Sequence, residues 1–292
     1  MDLLIIILVL IYLLIATISD IKTQEIPDFL NFSFIAIGIF IYATKTILTG
    51  EIIYFLTSLI TSLSFLTLGL IMYYTRQWGG GDGKILMGLG ALIPVYPSIL
   101  IEIFSPRTYK YFGIDLLINL LLIGAIYGLL FATYLGIKHR KEYSKKLKEL
   151  YKAKKTKKLE KLFWATVIII NILSYFLLKD NFQRIMILIF SSLFLLLNYL
   201  LIVLKAIEKI TMYKMISTKK LREGDYIIKK LKKDEEILFT PTVHGVNKNQ
   251  IQKIQENFSE VEILSGIAFA PAILISTIVT LIFGNLLLYL LP

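Results

Sequence analysis

The 292-residue chain contains no cysteine and only two histidines, His139 and His244. The absence of cysteine excludes disulfides, thiol nucleophiles and cysteine-based zinc sites. Two histidines far apart in the sequence are too few for a metal cluster, so we expect neither a metal site nor a cofactor. Any chemistry must come from the oxygen and nitrogen atoms of other side chains.

Long apolar stretches make up most of the sequence. Hydrophobic residues make up 56% of the chain, and the mean hydropathy of +0.71 exceeds what a soluble core needs. We therefore predict an all-α polytopic membrane protein with about eight transmembrane helices. The eight stretches near the length needed to cross hydrocarbon are Leu3–Ile18, Phe29–Leu48, Ile52–Tyr74, Ile85–Phe104, Leu116–Ile137, Leu162–Leu178, Ile185–Leu204 and Ile263–Leu290.

Positive charge is concentrated between residues 138 and 161. Twelve Lys or Arg and three acidic residues leave an excess of nine positive charges there, out of a net +11 for the whole chain. Basic loops between hydrophobic segments stay in the cytoplasm, so the fifth span is expected to end inside and both termini outside. Lipid contact explains such a loop better than nucleic-acid binding does, so the bilayer is an expected partner and nucleic acid is not.

Composition divides the chain into five predicted regions. A small cytoplasmic module is predicted before the last helix, and Asn249–Phe258 is expected to be a short helix within it. The regions are a membrane core at 1–137 that contains the glycine-rich run described next, a basic cytoplasmic loop at 138–161, an additional transmembrane hairpin at 162–204, the module at 205–262 and a final transmembrane helix at 263–292.

Two carboxylates are expected to meet at one membrane face. The run from Trp78 to Lys84 places Asp82 among glycines between two apolar segments, and Asp20 ends the first apolar segment. With the predicted topology both lie on the cytoplasmic side, on different helices. Paired carboxylates share one proton, and together they can deprotonate a water and protonate a carbonyl or a leaving amine. We therefore predict Asp20 and Asp82 as catalytic aspartates.

The neighbours of Asp82 also have expected roles. Gly79, Gly81 and Gly83 would let the backbone enter the helix and leave room for a substrate strand. Lys84 would bind lipid phosphate or favour the ionised form of a nearby acid. One alternative is a glycine-rich hairpin in which Asp82 merely caps a helix. A nucleotide-binding loop is not favoured, because Ile85 stands where that loop needs Ser or Thr.

These residues resemble the type IV prepilin and archaeal preflagellin peptidases, which are membrane aspartyl proteases with a Gly-x-Gly-Asp motif. Gly79-Gly80-Gly81-Asp82 matches that motif. In the family, the other catalytic aspartate is followed by Ile-Pro-Asn, and here Asp20 is followed by Ile26-Pro27-Asp28, with Asp28 in place of the asparagine. Phe269-Ala270-Pro271, entering the last helix, is also similar. The lack of a cysteine tetrad and of a methyl-donor pattern resembles the archaeal, cleavage-only branch.

The resemblance implies endoproteolysis of class III signal peptides. Its substrates would be prepilins or preflagellins whose basic leader is cut at the cytoplasmic face of the cell membrane, just before a hydrophobic helix. Presenilin-type proteases fit less well, because Ser19 rather than Tyr precedes Asp20 and no Pro-Ala-Leu sequence is present. A cation-coupled transporter with intramembrane aspartates is the alternative from another class.

Two further hypotheses concern the substrate. Glu25 and Asp28, close to Asp20 in sequence, could attract the positive residues of a leader. Because the two catalytic aspartates lie on different helices beside glycines, we also expect them to come together when substrate binds. The sequence indicates nothing about the oligomeric state.

Overall fold

The computed structural model describes residues 2–75, 77–109, 111–233, 236–242 and 245–289. The chain divides into two compact units. The core unit consists of residues 1–129 and 266–292, and the inserted unit consists of residues 130–265. The last part of the chain therefore belongs to the same unit as the first.

Helices build the core unit. Its apolar sequences form helices whose outward sides carry exposed Leu, Ile and Phe, as expected for surfaces that contact lipid. Five helices precede the inserted unit, a sixth begins in the core unit and crosses into the inserted unit, and one more follows it. They are α1 (Asp2–Thr23), α2 (Asp28–Thr49), α3 (Ile53–Tyr74), α4 (Gly80–Leu92), α5 (Ser98–Phe104), α6 (Phe112–Lys138) and, after the inserted unit, α11 (Ala270–Phe283).

Six helices in the described part of the chain are long and apolar enough to cross a membrane, so the polytopic α-helical class is confirmed and the count of eight is not. The segment predicted at 85–104 is two helices, since Pro94 and Pro97 follow the end of α4 and Pro97 caps the start of α5. The segment predicted at 263–290 starts in a strand and becomes helical only at Ala270. Its helix stops at Gly284, which has a φ of +75°.

The inserted unit begins with long helices. The basic stretch predicted as a loop is helical: α7 covers Arg140–Lys152, and α8 continues from Lys154 to Leu177. α9 covers Asn181–Thr211, and its first turn is capped by the Asp180 side chain, which accepts a hydrogen bond from the Phe182 amide at 3.0 Å. The two longest helices of this unit, α8 and α9, carry the spans predicted as a hairpin.

The rest of the inserted unit contains a small sheet that the sequence analysis did not foresee. Strand β5 lies between β1 and β2 and is antiparallel to both, and β3 and β4 form a separate antiparallel pair. The helix predicted at Asn249–Phe258 is confirmed as α10, and Asn247 caps it. The elements are β1 (Tyr213–Ser217), β2 (Tyr226–Ile227), β3 (Leu231–Lys233), β4 (Glu236–Phe239), α10 (Lys248–Asn257) and β5 (Glu260–Leu264).

α4 lies at the centre of the core unit. Most of its residues from Asp82 to Leu92 are buried. Glycines allow the neighbouring backbones to approach it closely: a Cβ on Gly83 would lie 2.9 Å from the Gly69 Cα of α3. A Cβ on Gly38 of α2 would lie 2.7 Å from the Ala91 carbonyl carbon. Small residues permit such contacts between membrane helices, and here they fix the position of Asp82.

A buried polar cluster joins the end of α11 to α6. The Asp115 Oδ1 accepts a hydrogen bond from the Asn285 amide at 3.1 Å. The Asn119 amide donates to the Gly284 carbonyl at 2.6 Å and to the Thr280 hydroxyl at 2.9 Å. These side chains satisfy one another away from solvent, as buried polar groups must. α11 is therefore anchored to the core unit at its C-terminal end.

Candidate active site

Asp20 lies in the last turn of α1 and is turned toward the protein interior. It is only 7% exposed. Its Oδ2 accepts a hydrogen bond from the Ala270 amide, the first residue of α11, at 2.9 Å. The carboxylate continues the buried stripe of α1, whose spacing of three and four residues defines one helix face. The other members of that stripe are Ile5, Ile6, Val9, Tyr12, Leu13, Ala16 and Thr17.

Asp82 is the third residue of α4 and is 8% exposed. Its Oδ2 accepts a hydrogen bond from the Gly79 amide at 3.0 Å. The side chain thus satisfies one of the amides that a helix leaves without a partner at its start. Asp82 therefore does cap the start of α4, as the alternative interpretation of the glycine-rich run expects. The capping residue is buried, however, and not part of an exposed hairpin.

The two carboxylates are close enough for the charge of Asp20 to act on Asp82. Both are withdrawn from water, and two like charges repel each other more strongly in a buried environment than in water. One shared proton relieves that repulsion. The arrangement can therefore offer one carboxylate as a base and one carboxyl group as an acid.

The glycines beside Asp82 serve packing. A Cβ on Gly81 would lie 3.0 Å from the Ile26 Cδ1, and Gly83 lies against Gly69 as described above. A Cβ on Gly79 would lie 3.3 Å from the Asp82 Oδ2. The absence of side chains therefore brings the loop before α2, and helix α3, directly against the start of α4.

The remaining predicted site residues surround this region. Pro27 caps the start of α2. Lys84 forms an ion pair with Asp28, the first residue of α2. The carbonyl of Glu25 accepts a hydrogen bond from the Ser19 hydroxyl at 2.8 Å, which folds the loop back onto α1. The segment after Asp20 thus contacts the start of α4 in two places: Ile26 packs against Gly81, and Asp28 pairs with Lys84.

The residues around 269 also form part of the site, which was not predicted from the sequence. The Phe269 ring lies beside the Trp78 ring, with centroids 5.6 Å apart. The next residue, Ala270, donates to Asp20. The similarity of Phe269-Ala270-Pro271 to the family was the available sequence signal. It does not reveal the contact with Asp20, because the two residues are 250 positions apart in the sequence.

Among the residues that the structure describes, no group of three His, Asp or Glu side chains could hold a metal ion. His244 lies outside the described residues.

The fold and the site together define a class: a multi-pass α-helical membrane protein with a pair of buried aspartates on two helices. Residues 7–133 match the type IV leader peptidase family. The matched range contains Asp20 and Asp82. It ends before α7, so most of the inserted unit and all of α11 lie outside it.

Curated archaeal relatives agree with the family. The chain is 38% identical over 84 residues to a preflagellin peptidase of Methanocaldococcus jannaschii, covering 29% of this chain and 36% of the relative. It is 32% identical over 143 residues to a preflagellin peptidase of Methanococcus voltae, covering 47% and 59%. It is 30% identical over 112 residues to the prepilin peptidase EppA of Methanothermobacter thermautotrophicus, covering 37% and 29%. The matches thus span between 29% and 59% of the length of these relatives.

Proposed function

We propose that this protein is an aspartic endopeptidase that removes leader peptides from prepilin-like or preflagellin-like substrates. The observation that carries the proposal is the pair of buried, interacting carboxylates of Asp20 and Asp82 within the family-matched region. The named activities of the relatives support the same reaction. Nothing in these matches supports the transporter alternative.

The pair can perform hydrolysis without a metal. The ionised carboxylate removes a proton from a water molecule, whose oxygen attacks the scissile carbonyl carbon. The protonated partner donates its proton to the carbonyl oxygen. The carboxyl group that took up the water proton then donates it to the amine nitrogen, while its partner removes a hydroxyl proton from the tetrahedral intermediate. The C–N bond breaks, giving a carboxylic acid and an amine, and the pair again holds one proton.

The substrate is inferred to carry a basic leader followed by a hydrophobic helix. The excess of positive charge at residues 138–161 favours a cytoplasmic position for the end of α6. If α4 and the segment up to Ser98 together cross the bilayer once, alternation places Asp20 and Asp82 on the same side. The Ser98 amide supports such a crossing, since it donates to Asp2 at the other end of α1 at 2.8 Å. A leader held in the cytoplasm would then reach the carboxylates while its hydrophobic helix stays in the bilayer. Glu25 and Asp28, which follow Asp20 in sequence, are the acids proposed to attract the leader, and Asp28 is also paired with Lys84.

The test is cleavage of a synthetic substrate with a basic leader and an apolar helix by the purified protein in lipid. Asp20→Asn and Asp82→Asn should each reduce the rate by at least about 100-fold, since each removes an acid–base group. Glu102→Gln is the matched control, because Glu102 is an exposed acid on α5 outside the site. Wild-type rates in either aspartate variant, or no cleavage by the wild type, would contradict the proposal.

A further inference from the structure

The start of α11 supplies a main-chain donor to Asp20. The first amides of a helix have no partner within it and carry the positive end of the helix dipole. The Ala270 amide is such a group, and it donates to the Asp20 Oδ2 at 2.9 Å. Pro271 has no amide hydrogen, and the Ala272 amide donates to the Phe269 carbonyl at 2.9 Å. Ala270 is thus the first-turn amide left for Asp20, and the Phe269 amide just before the helix also hydrogen-bonds this carboxylate.

Three contacts hold the stretch of residues 266–270 in place. The Gln24 side-chain amide donates to the Gly266 carbonyl at 3.0 Å. The Tyr127 hydroxyl donates to the Ala268 carbonyl at 3.0 Å. The rings of Trp78 and Phe269 lie side by side. These contacts come from the end of α1, from α6 and from the run that precedes Asp82, so they fix the stretch relative to both aspartates.

Gln24 is itself unusual, with a φ of +56°. Non-glycine residues seldom adopt this left-handed region, and strain of this kind is concentrated at functional sites. The strained residue lies four positions after Asp20 and contacts the same stretch that contacts Asp20. This conformation is common where a helix ends, and here the Gln24 amide donates to the Asp20 carbonyl at 2.8 Å. The turn that ends α1 therefore also directs the Gln24 side chain to Gly266.

We infer that residues 266–270 are a positioning element of the active site, in which the Ala270 amide fixes the Asp20 carboxylate for the reaction. This inference rests on the proposed function. It extends the site beyond residues 7–133, the range that the family match covers. The polar cluster around Asn119 and Asn285 holds the far end of α11, so the helix presents its amide from a fixed position.

The most selective test replaces Ala270 by lactic acid through nonsense suppression, which converts only its amide N–H to an ester oxygen. We expect kcat to fall about 10-fold with little change in KM, because one charge-assisted hydrogen bond is lost. The acidic limb of the kcat/KM profile should move to higher pH, since the carboxylate loses a donor to its charged form. The same ester at Ala272 is the matched control, because it removes a helix hydrogen bond without touching Asp20. An Ala270 ester with the kcat and pH profile of the Ala272 ester would overturn the inference.

A side-chain variant gives an independent route. Gln24→Gly relieves the positive φ and removes the bond to Gly266, so it should lower kcat several-fold without lowering the unfolding temperature. A second readout does not depend on cleavage: with Trp164→Phe, the fluorescence of Trp78 reports on Phe269. Asp20→Leu, which leaves no acceptor for the Ala270 amide, should shift this emission, and Glu102→Gln should not.

These readouts separate the two proposals. If the wild type does not cleave the substrate, the proposed function fails, while the Trp78 emission still tests the contact. If the wild type cleaves and both Gln24→Gly and the Ala270 ester retain its kcat, the positioning role fails and the peptidase stands. Unchanged Trp78 emission in Asp20→Leu likewise overturns the positioning role.

Discussion

Lys84 and Asp28 show how single residues organise the site. Lys84 lies two positions after Asp82, and its ammonium group pairs with the carboxylate that starts α2. Both side chains are partly exposed, at 32% and 63%, and pairs of this kind contribute at most about 1 kcal/mol to stability. The pair therefore matters more for holding the start of α4 against α2 than for the free energy of unfolding.

We predict that Lys84→Gln and Asp28→Asn each lower cleavage several-fold while changing the free energy of unfolding by less than about 1 kcal/mol. The double variant should be no slower than the slower single variant, because both changes remove one interaction. Cleavage rates and denaturant unfolding of the four proteins measure this. As a control, Lys146→Gln removes the exposed pair with Glu149, which lies on α7. Fully additive losses of activity would show that Lys84 and Asp28 act separately.

At the scale of helices, α4 is held by contacts that only small residues permit. Gly69 and Gly83 bring α3 and α4 into backbone contact. The hydroxyls of Ser58 and Ser62 on α3 donate to the Ala91 and Met87 carbonyls of α4 at 2.8 and 3.0 Å. Such hydrogen bonds between helices are among the interactions that replace the hydrophobic effect inside a bilayer.

We expect Gly83→Ala to lower the free energy of unfolding by about 1–3 kcal/mol, because the new methyl group would meet the Gly69 backbone at 2.9 Å. Gly128→Ala, within α6, is the matched control: its Cβ would meet nothing within 4 Å. Alanine there should stabilise the helix by up to about 1 kcal/mol. Denaturant unfolding in detergent compares the two. Equal stabilities would show that α3 and α4 are not in close contact.

Some elements could be predicted from the sequence and others could not. Apolar stretches of suitable length predicted the first three spans, and their bounds in the structure are close to those expected. The fourth was wrong as one continuous helix, because hydropathy does not reveal that the chain is interrupted at Pro94 and Pro97. The strands of the inserted unit have two to five residues, too few for a clear alternating pattern.

The candidate site was accessible to sequence reasoning for a physical reason. A carboxylate at a membrane boundary is costly, so Asp20 and Asp82 stood out against their apolar surroundings. The contact between Asp20 and Ala270 could not be found in this way, because a backbone amide has no sequence signature. The ion pair of Asp28 with Lys84 was likewise missed, since neither residue type indicates its partner.

At the scale of the whole molecule, the core unit is assembled from the two ends of the chain. The inserted unit occupies residues 130–265, and the chain then returns to place α11 beside α1. A site that combines α1, α4 and α11 can form only after the last helix is in place. The proposed reaction requires that this assembly bring the carboxylates of Asp20 and Asp82 close together.

The most direct measurement uses the absence of natural cysteine. The double variant Asp20→Cys/Asp82→Cys should form a crosslink with a short bifunctional reagent in membranes, and bound substrate should increase its yield as the helices close. The pair Asp20→Cys/Glu102→Cys is the control and should remain unlinked. If cysteines 20 and 82 each react singly with maleimide yet never crosslink, with or without substrate, the two aspartates do not share a site.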